Sequence, residues 1–270
     1  MAEECTHDCS TCSSKCSKES LLEKPSPYSD IKDVYAVVSG KGGVGKSLTT
    51  ALLACCARRK GKETAVLDAD LTGPSIPKVF GVIDKAVGDE KGIDPVCTKD
   101  GIKIMSVNLL LEDDKSPVIW RGPVIAGVVK QFWTDVKWGK VDAMFVDCPP
   151  GTGDVPLTVF QSIPIKGIIV VTSPQELVSV IVEKAVNMAK MMNVPVLGIV
   201  QNMSYFTCDN CGKKHYIYGK SDVKDTAAKF GIQHTVELPV IPEAAQKCDD
   251  GDVGTIVLPE MDAFFDEIIG

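Results

Sequence analysis

The chain predicts a three-layer α/β fold, a mostly parallel sheet with helices on both faces. Three observations lead there. Short apolar runs alternate with helical stretches from Asp33 onward, the pattern of strands joined by crossover helices. Three of those runs close directly on a glycine-rich loop or on a carboxylate, as strands do at the ligand end of an open sheet. And 270 residues, 44% hydrophobic and 24% charged, are enough for one sizeable soluble core.

The elements follow in order. Asp33-Val34-Tyr35-Ala36-Val37-Val38-Ser39 reads as a buried strand, 34–39. Leu48, Leu52 and Cys55 share one face of a helix reaching about Lys60. Thr64-Ala65-Val66-Leu67-Asp68 is a second apolar strand, and 102–107 a third. Asp142-Ala143-Met144-Phe145-Val146-Asp147 is a fourth, with 167–172 and 196–201 beyond it. Further helices are expected at 123–136, 155–163, 176–192, 222–230 and 260–269. In the last, Met261, Phe264, Phe265, Ile268 and Ile269 repeat at helical spacing. Its other face carries Asp262, Asp266 and Glu267, which opposes anionic lipid and favours docking on the core.

Ahead of this domain (33–270) lie two segments of another kind. Residues 1–16 hold Cys5, Cys9, Cys12 and Cys16 and almost no large apolar side chain, so hydrophobic burial cannot order them. Residues 17–32, with Pro25, Pro27 and several serines, read as a linker. A formal charge of −7 leaves no basic stripe for a general nucleic-acid binder. With no apolar leader or membrane-length run, the expected compartment is the cytoplasm, without a membrane partner. Eleven cysteines in a reducing compartment then point to metal ligands or buried thiols rather than disulfides.

Between the first strand and first helix stands Gly40-Lys41-Gly42-Gly43-Val44-Gly45-Lys46-Ser47. Glycines let backbone N–H groups turn inward around a phosphate chain, and the following helix N-terminus adds to their pull. Lys46 suits the β/γ-phosphates and the Ser47 hydroxyl a Mg²⁺ shell, which makes this a P-loop with Leu48 next in line. Asp68 and Asp70 end the second strand two residues apart, on one side of it, in reach of Mg²⁺ or an attacking water. Asp147 closes the fourth strand as a Walker B acid would. The loop Cys148-Pro149-Pro150-Gly151-Thr152-Gly153-Asp154 after it is built to approach a γ-phosphate and to order or release with it.

The loop resembles the deviant Walker A motif of SIMIBI-class P-loop NTPases. That resemblance implies that Lys41 reaches the nucleotide of a partner subunit in a homodimer, and that Asp70 positions the attacking water while Asp68 organises Mg²⁺. The ordered motifs GKGGVGKS (40–47), DADLTGPSIPKVFG (68–81), VIWRGP (118–123), DCPPGTGD (147–154) and QNMSYFTCDNCG (201–212) resemble, more closely, the Mrp/ApbC/Nbp family of iron–sulfur cluster carrier ATPases. Thr72 stands where a tyrosine is common there, and Arg121 belongs to the match without a physical role to assign. The resemblance implies ATP hydrolysis, an adenine contact by Asn202, and delivery of clusters to apo iron–sulfur proteins.

The remaining cysteines divide by placement. Cys208-Asp209-Asn210-Cys211 offers two thiolates on a polar loop, half of a four-ligand set, with His215 a possible third ligand. A two-fold dimer would supply four thiolates, and the family resemblance implies a bridging [4Fe–4S] cluster. Cys5, Cys9, Cys12 and Cys16 make a second candidate [4Fe–4S] site within one segment. Zinc is the alternative at both, and a zinc-stapled dimeric ATPase of the targeting or the partitioning/septum-site type is the alternative function. Cys55, Cys56, Cys97, Cys148 and Cys248 are expected to be small hydrophobic fillers or inert thiols.

Overall fold

The computed structural model describes residues 22–70, 75–110, 122–151, 153–174, 178–220 and 223–270. Cys5, Cys9, Cys12, Cys16, Thr72, Arg121 and Thr152 lie outside the described residues. In chain order the elements are β1 (Ser29–Ser39), α1 (Lys46–Arg59), β2 (Thr64–Asp68), α2 (Ser75–Val79), β3 (Gly88–Asp89), β4 (Gly92–Ile93), β5 (Val96–Cys97), β6 (Lys103–Met105) and α3 (Gly122–Thr134). Then come β7 (Gly139–Asp147), α4 (Asp154–Ser162), β8 (Gly167–Thr172), α5 (Val178–Met191), β9 (Val196–Thr207), β10 (Lys214–His215), α6 (Val223–Lys229), β11 (His234–Pro239), α7 (Ala244–Asp249) and α8 (Pro259–Ile268).

Seven strands run parallel in the spatial order β11-β9-β8-β1-β7-β2-β6. Two antiparallel additions complete the sheet: β5 along β6, and β10 along the end of β9. The central strands are buried on both faces, which is why they read as unbroken apolar runs. Alternation along β1 divides the core. Val34, Ala36 and Val38 join the cluster that holds Phe132 and Trp133 of α3 and Val182 of α5. Tyr35 and Val37 join the opposite cluster, with Leu53 of α1 and Phe264 and Phe265 of α8. The C-terminal helix is thus docked on the core, its Met261, Phe264 and Phe265 buried. Gly198 is required beneath it, because a Cβ there would stand 2.7 Å from the Phe264 ring.

The boundary of the linker is corrected. Its last four residues, 29–32, already belong to β1, with Ser29 paired to Gly139 and Ile31 to Val141. The segment ahead of it is fastened as well: the Glu23 N–H donates to the Ser162 carbonyl (2.9 Å), Trp133 Nε1 donates to the Glu23 carbonyl (3.0 Å), and Lys130 pairs with Glu23 (2.6 Å). Several other bounds move too. The strand expected at 102–107 is only Lys103–Met105, because Ser106 caps a 3₁₀ turn over Val107–Leu109. The strand expected to end at 201 runs on to Thr207, and β11 and the short helices α2 and α7 were not anticipated. Among the described residues no helix is long and apolar enough to cross a membrane.

Candidate functional site

The carboxyl ends of β1, β7 and β2 lie side by side, so the P-loop, Asp147 and the Asp68–Asp70 pair converge there. Register fixes the relation: Asp147 lies opposite Val37 on one side and Asp68 on the other. A cleft of about 420 Å³ opens over the loop, lined by Lys41, Gly42, Gly43, Gly45, Lys46, Ser47, Leu48 and Asp70, with Ser39, Ser75, Val79 and Pro150 at its walls. Gly40 and Val44 frame it from behind. A Cβ at Gly40 would stand 2.7 Å from Ile181, and Val44 is buried.

Within the cleft one carboxylate gathers the loop. Asp147 is fully buried, and its Oδ1 takes the Lys46 ammonium at 2.8 Å and the Thr50 hydroxyl, also at 2.8 Å. The Ser47 hydroxyl donates to its Oδ2 at 2.6 Å. Lys46 also reaches Asp70 at 3.3 Å. Burial works against the Lys46 charge, but Asp147 and then Asp70 outweigh it and hold its pKa above the ordinary lysine value. A hydroxyl beside a carboxylate is the oxygen-donor pair that suits Mg²⁺, so Ser47 and Asp147 fit that ion.

Asp68, expected to organise Mg²⁺ and its shell, turns both carboxylate oxygens toward protein donors. It is fully buried, its Oδ2 accepts from Ser106 Oγ (2.9 Å) and its Oδ1 from the Asp70 backbone N–H (3.1 Å). Burial, and then the charge of Asp147, pushes its carboxyl well above the usual range. Its visible work is to hold Asp70 in place. Thr50 and Ser106 were missed by sequence reasoning. Thr50 carried a signal, four residues after Lys46 on the same helix face; Ser106 follows an ordinary short strand and carried none.

Asn202 reaches the loop from β9. Its Nδ2 donates to the Val44 carbonyl at 3.0 Å, and the residue is only 5% exposed. Gly45 beneath it has φ +81°, and a Cβ there would overlap the Asn202 amide. Gly45→Ala is therefore expected to weaken ATP binding by roughly five- to thirtyfold, the equivalent of the roughly 1–2 kcal/mol that a left-handed alanine costs. Titration with a fluorescent ATP analogue checks it.

The second site sits at the far end of β9. Cys208 N–H donates to the Lys213 carbonyl (3.0 Å) and Gly212 N–H to the Cys208 carbonyl (2.8 Å), with Gly212 at φ +68°. This closes a knuckle between β9 and β10 with Cys211 exposed and Cys208 half-buried. Backbone N–H groups of Cys211 and Asn210 and the Cys211 side chain stabilise the Cys208 thiolate and lower its pKa below the ordinary thiol value. His215 does not join them: among the described residues no group of three or more His, Cys, Asp or Glu side chains could hold a metal ion. Cys55, Cys56 and Cys148 are buried thiols pushed up to about 12 by desolvation. Cys97 is exposed on the edge strand β5, so of the two expectations, filler or inert thiol, it is not a filler.

Comparison with known proteins agrees with this geometry. The family model described as ParA, NUBPL iron-transfer P-loop NTPase, matches residues 30–268. An iron-sulfur cluster carrier protein of Methanocaldococcus jannaschii is 45% identical over 258 residues, 92% of this chain and 89% of that protein. A second, from Clostridium perfringens, is 43% identical over 244 residues, 87% of this chain and 86% of its own. Among solved structures, a nucleotide-binding protein of Archaeoglobus fulgidus in complex with ADP aligns with a TM-score of 0.78 at 42% identity, covering 87% of this chain and 92% of that one. The cell division ATPase MinD of Pyrococcus furiosus aligns with a TM-score of 0.59 at 18% identity, covering 87% and 98%, a likeness of fold alone. Matched from β1 to the end of α8, this chain belongs to the NUBPL iron-transfer family of ParA-type P-loop NTPases.

Proposed function

We propose that this protein is a cytoplasmic, homodimeric ATPase that carries a [4Fe–4S] cluster on Cys208 and Cys211 and hands it to apo iron–sulfur proteins. The observation that carries the reading is the knuckle itself. It presents two thiols, one with a lowered pKa, and no third ligand among the described residues. Two thiolates are half of a four-ligand site, and a two-fold axis would supply the others. The names borne by relatives that match nearly the whole chain support the cargo.

In this reading Lys46 binds the β/γ-phosphates of ATP and Lys41 reaches the nucleotide of the partner subunit. Ser47 and Asp147 hold Mg²⁺, which when bound offsets the charge of the phosphates. Asp70, steadied by Asp68 and Ser106, orients the attacking water, and Asn202 lies on the adenine side of the loop. The segment after β7 is laced to β1, with Cys148 N–H on the Val37 carbonyl (3.1 Å) and Gly151 N–H on the Ser39 carbonyl (2.8 Å). Loss of the γ-phosphate would relax it. Cys5, Cys9, Cys12 and Cys16 form a second, independent cluster site.

Anaerobic reconstitution, with iron, sulfide and zinc quantified, tests the reading. The wild type is expected to hold one bridging cluster per two chains beyond the N-terminal one. Cys208→Ser/Cys211→Ser should lose that cluster and keep nucleotide binding, and a chain lacking residues 1–16 should retain it. Stoichiometric zinc without iron would overturn the cluster in favour of a zinc staple.

A further inference from the structure

One strand serves both sites. β9 carries Asn202 against the P-loop and ends at Thr207, immediately before Cys208. Between them the strand is irregular in a specific way. β11 pairs with β9 at Glu237–Gln201 and next at Pro239–Tyr205, so β9 runs four residues where β11 runs two. The two additional residues form a bulge, within which Met203 takes φ +56°. A left-handed methionine is strained, a conformation that persists only where its surroundings impose it.

Those surroundings are on both sides. Upstream, the Asn202 amide grips the Val44 carbonyl where only a glycine fits beneath it, at position 45. Within the bulge Ser204 Oγ donates to the Gln201 carbonyl at 2.8 Å. Downstream, the Tyr205 carbonyl accepts from Val240 N–H (2.7 Å) and its hydroxyl meets Glu260 (3.2 Å). The Lys214 ammonium lies 3.8 Å from the centre of the Tyr205 ring, and Lys214 is paired with Thr207 in the strand that closes the cysteine knuckle. Contacts therefore run unbroken from Val44 and Gly45 to Cys208. If Met203 became extended, β9 could lengthen by up to two residues, roughly 7 Å, and the knuckle would move with it.

We infer that Asn202 and Met203 are positioning residues that couple the nucleotide loop to the Cys208/Cys211 knuckle: the bulge at 202–204 transmits a shift of Val44 along β9. The biological meaning of this coupling rests on the cluster-carrier reading, but the coupling itself is readable in the thiols without any cluster.

The experiment is peptide-resolved alkylation of Cys208 and Cys211 by iodoacetamide in the full-length, cluster-free protein. It is run without nucleotide, with Mg–ADP, and with a saturating slowly hydrolysed Mg–ATP analogue. In the wild type the nucleotide should change the rates by roughly fivefold or more, the low end of ordinary coupling between sites. Met203→Gly, which removes the conformational constraint, should bring the response below about twofold with nucleotide affinity unchanged. Asn202→Ala should do the same at saturating nucleotide. Met203→Asn, which tolerates the left-handed region, should keep the response. Rates insensitive to nucleotide in the wild type, or a response that survives both Met203→Gly and Asn202→Ala, overturn the inference. A normal thiol response in a protein that takes up no iron and sulfide sinks the carrier reading instead and leaves the coupling standing.

Discussion

Asp147→Asn is expected to lower ATP turnover by about 10²–10³-fold, the usual cost of removing one preorganised charge from a phosphoryl-transfer site. The wild-type carboxylate accepts from three donors, Lys46, Thr50 and Ser47, at 2.6–2.8 Å, and it is fully buried. Asparagine keeps the shape but not the charge. If its NH₂ group faces Lys46 it meets an ammonium that cannot accept; if it faces Ser47 that hydroxyl must turn from donor to acceptor. Among the described residues, the ion pair left to the buried Lys46 would be the one with Asp70, at 3.3 Å. The same change removes the anionic oxygen beside Ser47 that suits Mg²⁺. Steady-state phosphate release checks the figure; turnover within tenfold of wild type would show that another acid does this work.

Trp133→Ala should be the most damaging change away from the site, at about 3–5 kcal/mol. The side chain is 1% exposed and belongs to the core layer between α3 and the sheet. Truncation removes that packing and leaves a cavity the close-packed layer cannot fill. It also strips the Glu23 carbonyl of its indole donor. At about 2–4 °C per kcal/mol for a domain of this size, the melting temperature should fall by roughly 6–20 °C. Thermal denaturation followed by circular dichroism measures it. Trp133→Phe, which keeps most of the volume and loses the hydrogen bond, should fall much less.

The nucleotide site was legible because its residues are tied to strand ends. A strand buried on both faces reads as an apolar run, and a parallel sheet brings the ends of β1, β7 and β2 to one place. The acids at those ends could then be placed beside the loop from their position in the sequence. Other features depend on contacts that no run of residues announces. Ser29-Asp30-Ile31-Lys32 looks polar, yet it pairs with β7 at the sheet's edge of burial. His234–Pro239 mixes Thr and Glu into a strand because only its Val236 and Leu238 are buried. β9 was cut short at 201 because Asn202 and Ser204 interrupt its apolar pattern, and both are buried polar residues held by hydrogen bonds. Asp68 reads from the sequence as an acid that organises Mg²⁺. Only the positions of Ser106 and the Asp70 N–H reveal that its oxygens face protein donors.

The fastening of Glu23 to Trp133, Ser162 and Lys130 also sets the length of a leash. Cys16 is seven residues from that anchor, so it can lie no more than ~25 Å from it, and Cys5, at eighteen residues, no more than ~65 Å. Were the chain untied up to residue 32, the limit for Cys16 would be ~58 Å. The accessible sphere would be larger by roughly the cube of that ratio, about twelvefold. The fastening of Glu23 thus shortens the reach of each of the four thiols, in proportion most for Cys16 and least for Cys5.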